Sequence, residues 1–316
     1  MDAVLECCAG LDVHQETVVA CVLSGTLDRK PKKETRTFDT TTNGLFALAE
    51  WLEQSKCSHV AMESTGVYWK PVWNILEEYS CELVLANAKH IKNVPGRKTD
   101  VKDAEWIAKL LRSGLIQGSF VPPVEIRNLR DLTRYRKKLV QNATQEKNRI
   151  HKVLQDANIK LTTYLSDIFG ISGRNIIEAI INGEKVTVKK LQKKVKGKAK
   201  NKIPQLVDAL NGRLAQHHRT MIRRSWDHLM YLEKAIAEIE EQMDQYIKPY
   251  QEEVELLDSM PGIKKEAAAS ILAELGSDMS VFPSSRHLSS WAGVSPGNNE
   301  SAGKKKEVKL PQGTKH

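Results

Sequence analysis

The chain has 316 residues, 41% of them apolar and 28% charged, enough for two domains with sizeable cores. No apolar run approaches the roughly 18 residues needed to span a bilayer, and forty-eight Lys and Arg against thirty-nine Asp and Glu leave +9, a field that favours a polyanion such as nucleic acid. The five cysteines are confined to the first 81 residues without CxxC spacing, and "MDAVLECCAG" has no cationic leader. A disulfide scaffold and a zinc ribbon are excluded on these grounds, and a reduced cytoplasmic protein is expected.

Residues 4–23, "VLECCAGLDVHQETVVACVL", read as two short apolar strands broken at "DVHQE", with a third strand over 33–39. "TTTNGLFALAEWLEQS" supplies a Thr/Asn cap and then Leu45, Leu48, Ala49 and Leu52 at helical spacing. A strand at "HVAMEST", a helix at "GVYWKPVWNILEEYS", a strand at "CELVLANA" and a third helix at "TDVKDAEWIAKLLRSG" follow, so the start of the chain reads as an α/β sheet domain. From 125 to 157 the pattern turns helical, with Leu132, Leu139, Ala143, Ile150, Val153 and Ala157 at roughly heptad steps. A second long helix over about 205–247 carries Leu229, Leu232, Ile236, Ile239, Met243 and Tyr246 in 3,4 spacing. That seam fits two helices of one bundle and pairing between chains equally. Between them, residues 185–202 hold nine lysines and no acid, the composition of a mobile loop or an exposed helix. "LLDSMPGIKKEAAASILAELG" then reads as helix, Pro-Gly turn, helix. Such a turn, at Gly262 with Lys264 and Lys265 behind it, either seats a phosphate on a helix N-terminus or is a packing hairpin.

Four carboxylates sit where chemistry could use them: Asp12 in the first strand, Glu63 in a later strand, and Asp100 and Asp103 three apart in the third helical segment. Three-residue spacing puts two helical side chains on one face, although Asp100 after Thr99 also fits an N-terminal cap. Clustered, the four would repel without a hard cation such as Mg²⁺ or Mn²⁺, and such a site suits phosphoryl transfer. The order of these carboxylates is similar to that in the ribonuclease H-like fold of the Holliday-junction resolvases. Farther on, "WAGVSPGNNESAGKKK" is a Gly/Asn/Ser loop that places Ser301 ahead of Lys304, Lys305 and Lys306. A loop serine is ordinarily only that, and a nucleophilic one needs a base or a metal to activate it.

Taken in order, "GLDVH", "MESTGVYW", "KTDVKDAEWIAKLLRSG", "SMPGIKKEAAASILAELG" and "WAGVSPGNNESAGKKK" resemble the DEDD transposases of bacterial insertion sequences, relatives of the Piv DNA invertase. The resemblance implies an α/β RuvC-like domain over 1–120 and an all-α coiled-coil linker over 125–247 carrying the lysine-rich insert. It implies a helix-hairpin-helix transposase domain over 253–316. Asp12, Glu63, Asp100 and Asp103 would bind Mg²⁺ or Mn²⁺, and Ser301 would attack DNA to form a covalent phosphoserine linkage. Gly262, Lys264, Lys265, Lys304, Lys305 and Lys306 would contact nucleic acid. Family members act as homodimers or homotetramers on DNA, some guided by an RNA encoded in their own element, which places the protein in the bacterial cytoplasm at the nucleoid. Members of the family continue through further helices past the serine loop, so the end "KKKEVKLPQGTKH" reads as a truncated copy. Two other functions fit the same residues: a junction nuclease that uses only the carboxylates, and an inactive nucleic-acid-binding remnant.

Overall fold

The computed structural model describes residues 3–64, 66–88, 91, 102–294, 300–301 and 304–305. The chain divides into two compact units, Met1–Val124 with the segment from Ser280 onward, and Glu125–Met279.

The first unit is built on a five-stranded mixed sheet in the order β3-β2-β1-β4-β5. Strands β1 (Cys7–Val13) and β2 (Thr17–Ser24) form the expected hairpin, closed where the His14 amide donates to the Thr17 carbonyl at 2.9 Å. Next, β3 (Lys32–Asp39) adds antiparallel to β2, and its exposed charged side chains guard the free edge. Helix α1 (Thr42–Gln54) starts where the Thr41 hydroxyl accepts the Gly44 amide. Strand β4 (His59–Glu63) lies parallel to β1, α2 (Trp69–Leu76) crosses over, and β5 (Glu82–Ala86) lies parallel to β4.

Strand alternation sends Ala9, Leu11 and Val13 into a core with Leu45, Leu48 and Leu52 of α1 and Val72 and Leu76 of α2. The opposite face, with Cys8, Cys21 and Ala61, packs on α3 (Asp103–Arg112) through Ala104, Ile107, Ala108 and Leu111. All five cysteines are free thiols, and burial pushes the Cys8 thiol up to about 12. Helix α3 begins later than its sequence suggested. Lys102 precedes it in extended conformation, φ −62° and ψ 146°, so Asp103 stands in the first turn and no helix runs unbroken from residue 100. The spacing argument for a shared helix face therefore fails, and Asp100 itself lies outside the described residues. Asp103 and Glu105 in the first turn and Lys109 and Arg112 in the last complement the helix dipole.

In the second unit, α4 (Val124–Asp156) and the later α8 (Gln216–Ile247) run antiparallel, as the pairs Arg136–Glu240, Glu146–His228 and Asp156–His218 require. Leu139, Ala143, Ile150, Leu229 and Leu232 share the core between them, so the apolar seam is filled within one chain. Helices α5 (Ile171–Ile181), α6 (Val188–Lys194) and α7 (Ile203–Ala209) lie between the long pair in sequence. The lysine run is thus folded: it spans α6 and a 3-10 turn over Gly197–Lys202, with Leu191 and Val195 buried. Helices α9 (Gln251–Asp258) and α10 (Lys265–Leu275) complete this unit. The chain then returns to the first unit with α11 (Ser285–Trp291) and a minimal hairpin of β6 (Glu300–Ser301) and β7 (Lys304–Lys305), and Phe282 packs edge-on against Phe120 and Trp291. Among the described residues, no helix is long and apolar enough to cross a membrane.

Candidate metal centre

In β1 and β4 the parallel register pairs Leu11 with Met62, so one further step along both strands sets Asp12 beside Glu63. Both carboxylates therefore leave the sheet at the carboxyl ends of adjacent parallel strands, the crevice where open α/β sheets bind ligands. Gly10 lies two residues back on the face that meets α3. A Cβ there would fall 2.3 Å from the Ala108 amide nitrogen and 2.4 Å from the Ala104 carbonyl oxygen. Only glycine lets the helix settle this close, and the close seat carries Asp103, at the amino end of α3, toward Asp12.

Electrostatics register that gathering. Burial holds the Asp12 carboxyl above its ordinary range, and the negative charges of Asp103 and Glu63 push the same way. His14 opposes them, with Nε2 3.2 Å from Asp12 Oδ2. Asp12 and Glu63 are half-buried and Asp103 is exposed, so the cluster is open to solvent on one side. Oxygen donors, accumulated negative charge and an open side are what a hard divalent cation needs, and the residues present fit Mg²⁺ or Mn²⁺. His14 was missed in the sequence because it reads as a turn residue; the available signal was its i+2 relation to Asp12, which keeps both on one face.

The remaining predicted residues are elsewhere. Ser301 pairs with Lys304, and Glu300 with Lys305, across the β6–β7 hairpin, in place of the loop expected there. The side chains of Ser301, Lys304 and Lys305, and all of Lys306, lie outside the described residues. In the second unit, Gly262 takes φ 89° in the turn between α9 and α10 with open space around it, and exposed Lys264 caps α10. Lys265 pairs with Asp244 at 2.9 Å. Helix α10 also packs, through Ala268, Ala269 and Leu272, on Ile126, Leu129 and Met243, so the turn is at least a packing hairpin.

A second group of metal-binding residue types, Asp156, His217 and His218, holds its ligand atoms within 4.8 Å of one another. Its hydrogen bonds give it a structural role. His218 Nδ1 accepts the Ala215 amide at 3.1 Å, which leaves Nε2 as the protonated nitrogen, 2.9 Å from Asp156 Oδ2. The imidazole thus caps α8 and ties it to the end of α4, and neither nitrogen has a lone pair left for a metal.

Comparison with known proteins bears on the same residues. A family model for DEDD transposases of the IS110 type, described as a transposase, matches residues 9–159, which include Asp12, Glu63, Asp100 and Asp103. A second, described as "Transposase IS116/IS110/IS902 family", matches residues 254–316, which include Gly262, Lys264 and Ser301. A solved structure, Thermus thermophilus RuvC, aligns at 13% identity with a TM-score of 0.28, covering 36% of this chain and 99% of its own. No curated protein matches the chain.

Proposed function

From a chain that carries insertion-sequence transposase domains of the IS110/IS116/IS902 type, we propose a DNA transposase that cuts and rejoins strands through a metal-assisted serine nucleophile. The observation that carries the reading is the meeting of Asp12, Glu63 and Asp103 where β1, β4 and α3 converge, felt as mutual repulsion at Asp12. These three, with Asp100, would hold Mg²⁺ or Mn²⁺. Bound there, the cation supplies charge neutralisation at phosphorus and polarises a phosphate oxygen.

The chain's own groups do the rest. His14 orients the Asp12 carboxylate through its hydrogen bond. The Ser301 hydroxyl attacks the scissile phosphorus: the Oγ–P bond forms as the P–O bond to the sugar breaks, the hydroxyl proton passes through solvent to the departing sugar oxygen, and the bond energy is kept for rejoining. The segment from Ser280 belongs to the same compact unit as the carboxylates, which supports this pairing. Lys304, Lys305 and Lys306 would hold the attacked backbone, and the Gly262–Lys264 turn a second phosphate. Homodimers or homotetramers, and an element-encoded guide RNA, complete the reading as the partners to test.

The test is a trapping experiment. The protein is incubated with Mg²⁺, the element's ends and its flanking transcript, then denatured. A protein–DNA adduct that disappears in Ser301→Ala and in Asp12→Asn is expected. Free ends that survive Ser301→Ala would instead indicate a nuclease using the carboxylates alone, and binding without cleavage at any Mg²⁺ concentration would indicate an inactive remnant.

A further inference from the structure

The run over residues 185–202 holds nine lysines without an acid. Most such runs are only a solvated face, but this one is tied into the fold. Leu191 and Val195 anchor it in the core of the second unit, together with Ile203 just beyond its end. Its backbone is pinned as well: Asn175 Nδ2 donates to the Lys194 carbonyl at 2.8 Å, and Ser172 Oγ accepts the Lys196 amide at 2.9 Å. Gly197, at φ 60° with nothing within 4 Å of a Cβ position, turns the chain from α6 into the 3-10 segment. The lysines are therefore displayed from a fixed scaffold, and less entropy is lost when they engage a ligand.

Glu184 takes Lys190 and Lys194, at 3.7 and 3.4 Å. Lys185, Lys189, Lys193, Lys196, Lys198 and Lys200 are exposed and have no acidic partner among the described residues. Residues 185–202 contain no Phe, Tyr or Trp. Single strands are gripped largely by stacking bases on aromatic rings, which this face lacks. Duplex DNA offers instead one negative charge per roughly 1.7 Å of axis, matched by point-charge ammonium groups.

We propose that the lysine face of α6 and the following 3-10 turn is a further DNA site, binding the phosphate backbone of a duplex without regard to sequence and through residues other than those of the carboxylate centre. The choice of DNA rests on the transposase reading; the binding itself uses neither the carboxylates nor Ser301.

The experiment titrates salt against full-length protein and an arbitrary duplex of about 30 base pairs in EDTA, so that no metal chemistry contributes. Changing Lys189, Lys193, Lys198 and Lys200 to Gln should weaken binding at least tenfold near physiological salt. It should also flatten the slope of log affinity against log salt by about 0.9 for each phosphate that the variant no longer neutralises. The same four positions changed to Arg should restore both affinity and slope. Wild-type affinity and slope in the Gln variant, no binding by the wild type in EDTA, or an Arg variant as weak as the Gln variant would each overturn the proposal. So would single-stranded RNA that displaces the duplex at a lower concentration than duplex competitor. Failure of the trapping experiment with intact, lysine-dependent duplex binding would sink the serine chemistry and leave this site standing.

Discussion

Asp12 carries a burden that its described neighbours do not fully offset. Its carboxyl is half-buried beside two other carboxylates, and His14, which opposes them, is itself exposed. Removing that charge is expected to leave the metal-free protein as stable as before, or slightly more so. Supplying a cation should have the larger effect. If Mg²⁺ binds the native state alone, stability rises by about 2.7 kcal/mol at a hundredfold excess over the dissociation constant. Thermal melts of wild type and Asp12→Asn across a Mg²⁺ series check this, and the expected outcome is a rising melting temperature in the first and a flat one in the second.

At the scale of elements, the seat of α3 on β1 decides whether the cluster exists. Gly10→Ala must place a methyl against the backbone of Ala104 and Ala108, which cannot rotate aside. A loss of about 1–3 kcal/mol is expected from such overpacking, together with a reduced Mg²⁺-dependent shift because Asp103 moves with its helix. Chemical denaturation with and without Mg²⁺ reads both effects. The strands and α1 were legible in the sequence because apolar alternation and the Thr41 cap leave little choice. The start of α3 was not: "KTDVKD" offers rival caps, and the competition was settled by tertiary contact around Gly10 and Ala104, which no local pattern encodes. The seam of the long helices was legible, but its partner was not, since 3,4 spacing is the same whether the facing helix comes from one chain or two. Asp12, Glu63 and Asp103 were found as residue types at strand and helix ends; their approach to one another depends on parallel register, a long-range property.

Across the whole molecule, the two units have separate cores and should respond differently to acid. In the second unit Glu146 is buried, which alone would raise its carboxyl, yet hydrogen bonds from His228 and Ser225 and the charge of Arg149 hold it below the usual range. Glu233 is likewise held down, chiefly by its hydrogen bond from Arg174. Groups depressed in the folded state contribute stability above the unfolded carboxylate pKa of about 4.3, and that stability is lost as pH falls through the depressed values. The first unit is mixed: Glu105, held down by hydrogen bonds from Lys109 and Lys33, has the same sign as that pair, whereas Asp12 is raised in the folded state and its contribution grows as pH falls. Melts followed between about pH 6 and pH 3 should therefore show the second unit's transition falling more steeply, and Glu146→Gln should flatten its slope below about pH 4.3. The first unit is also discontinuous, interrupted by all of residues 125–279. A ribosome thus delivers the sheet and its acids first and the returning segment from Ser280 only after all of residues 125–279, so the first unit cannot complete its fold until the second has been synthesised.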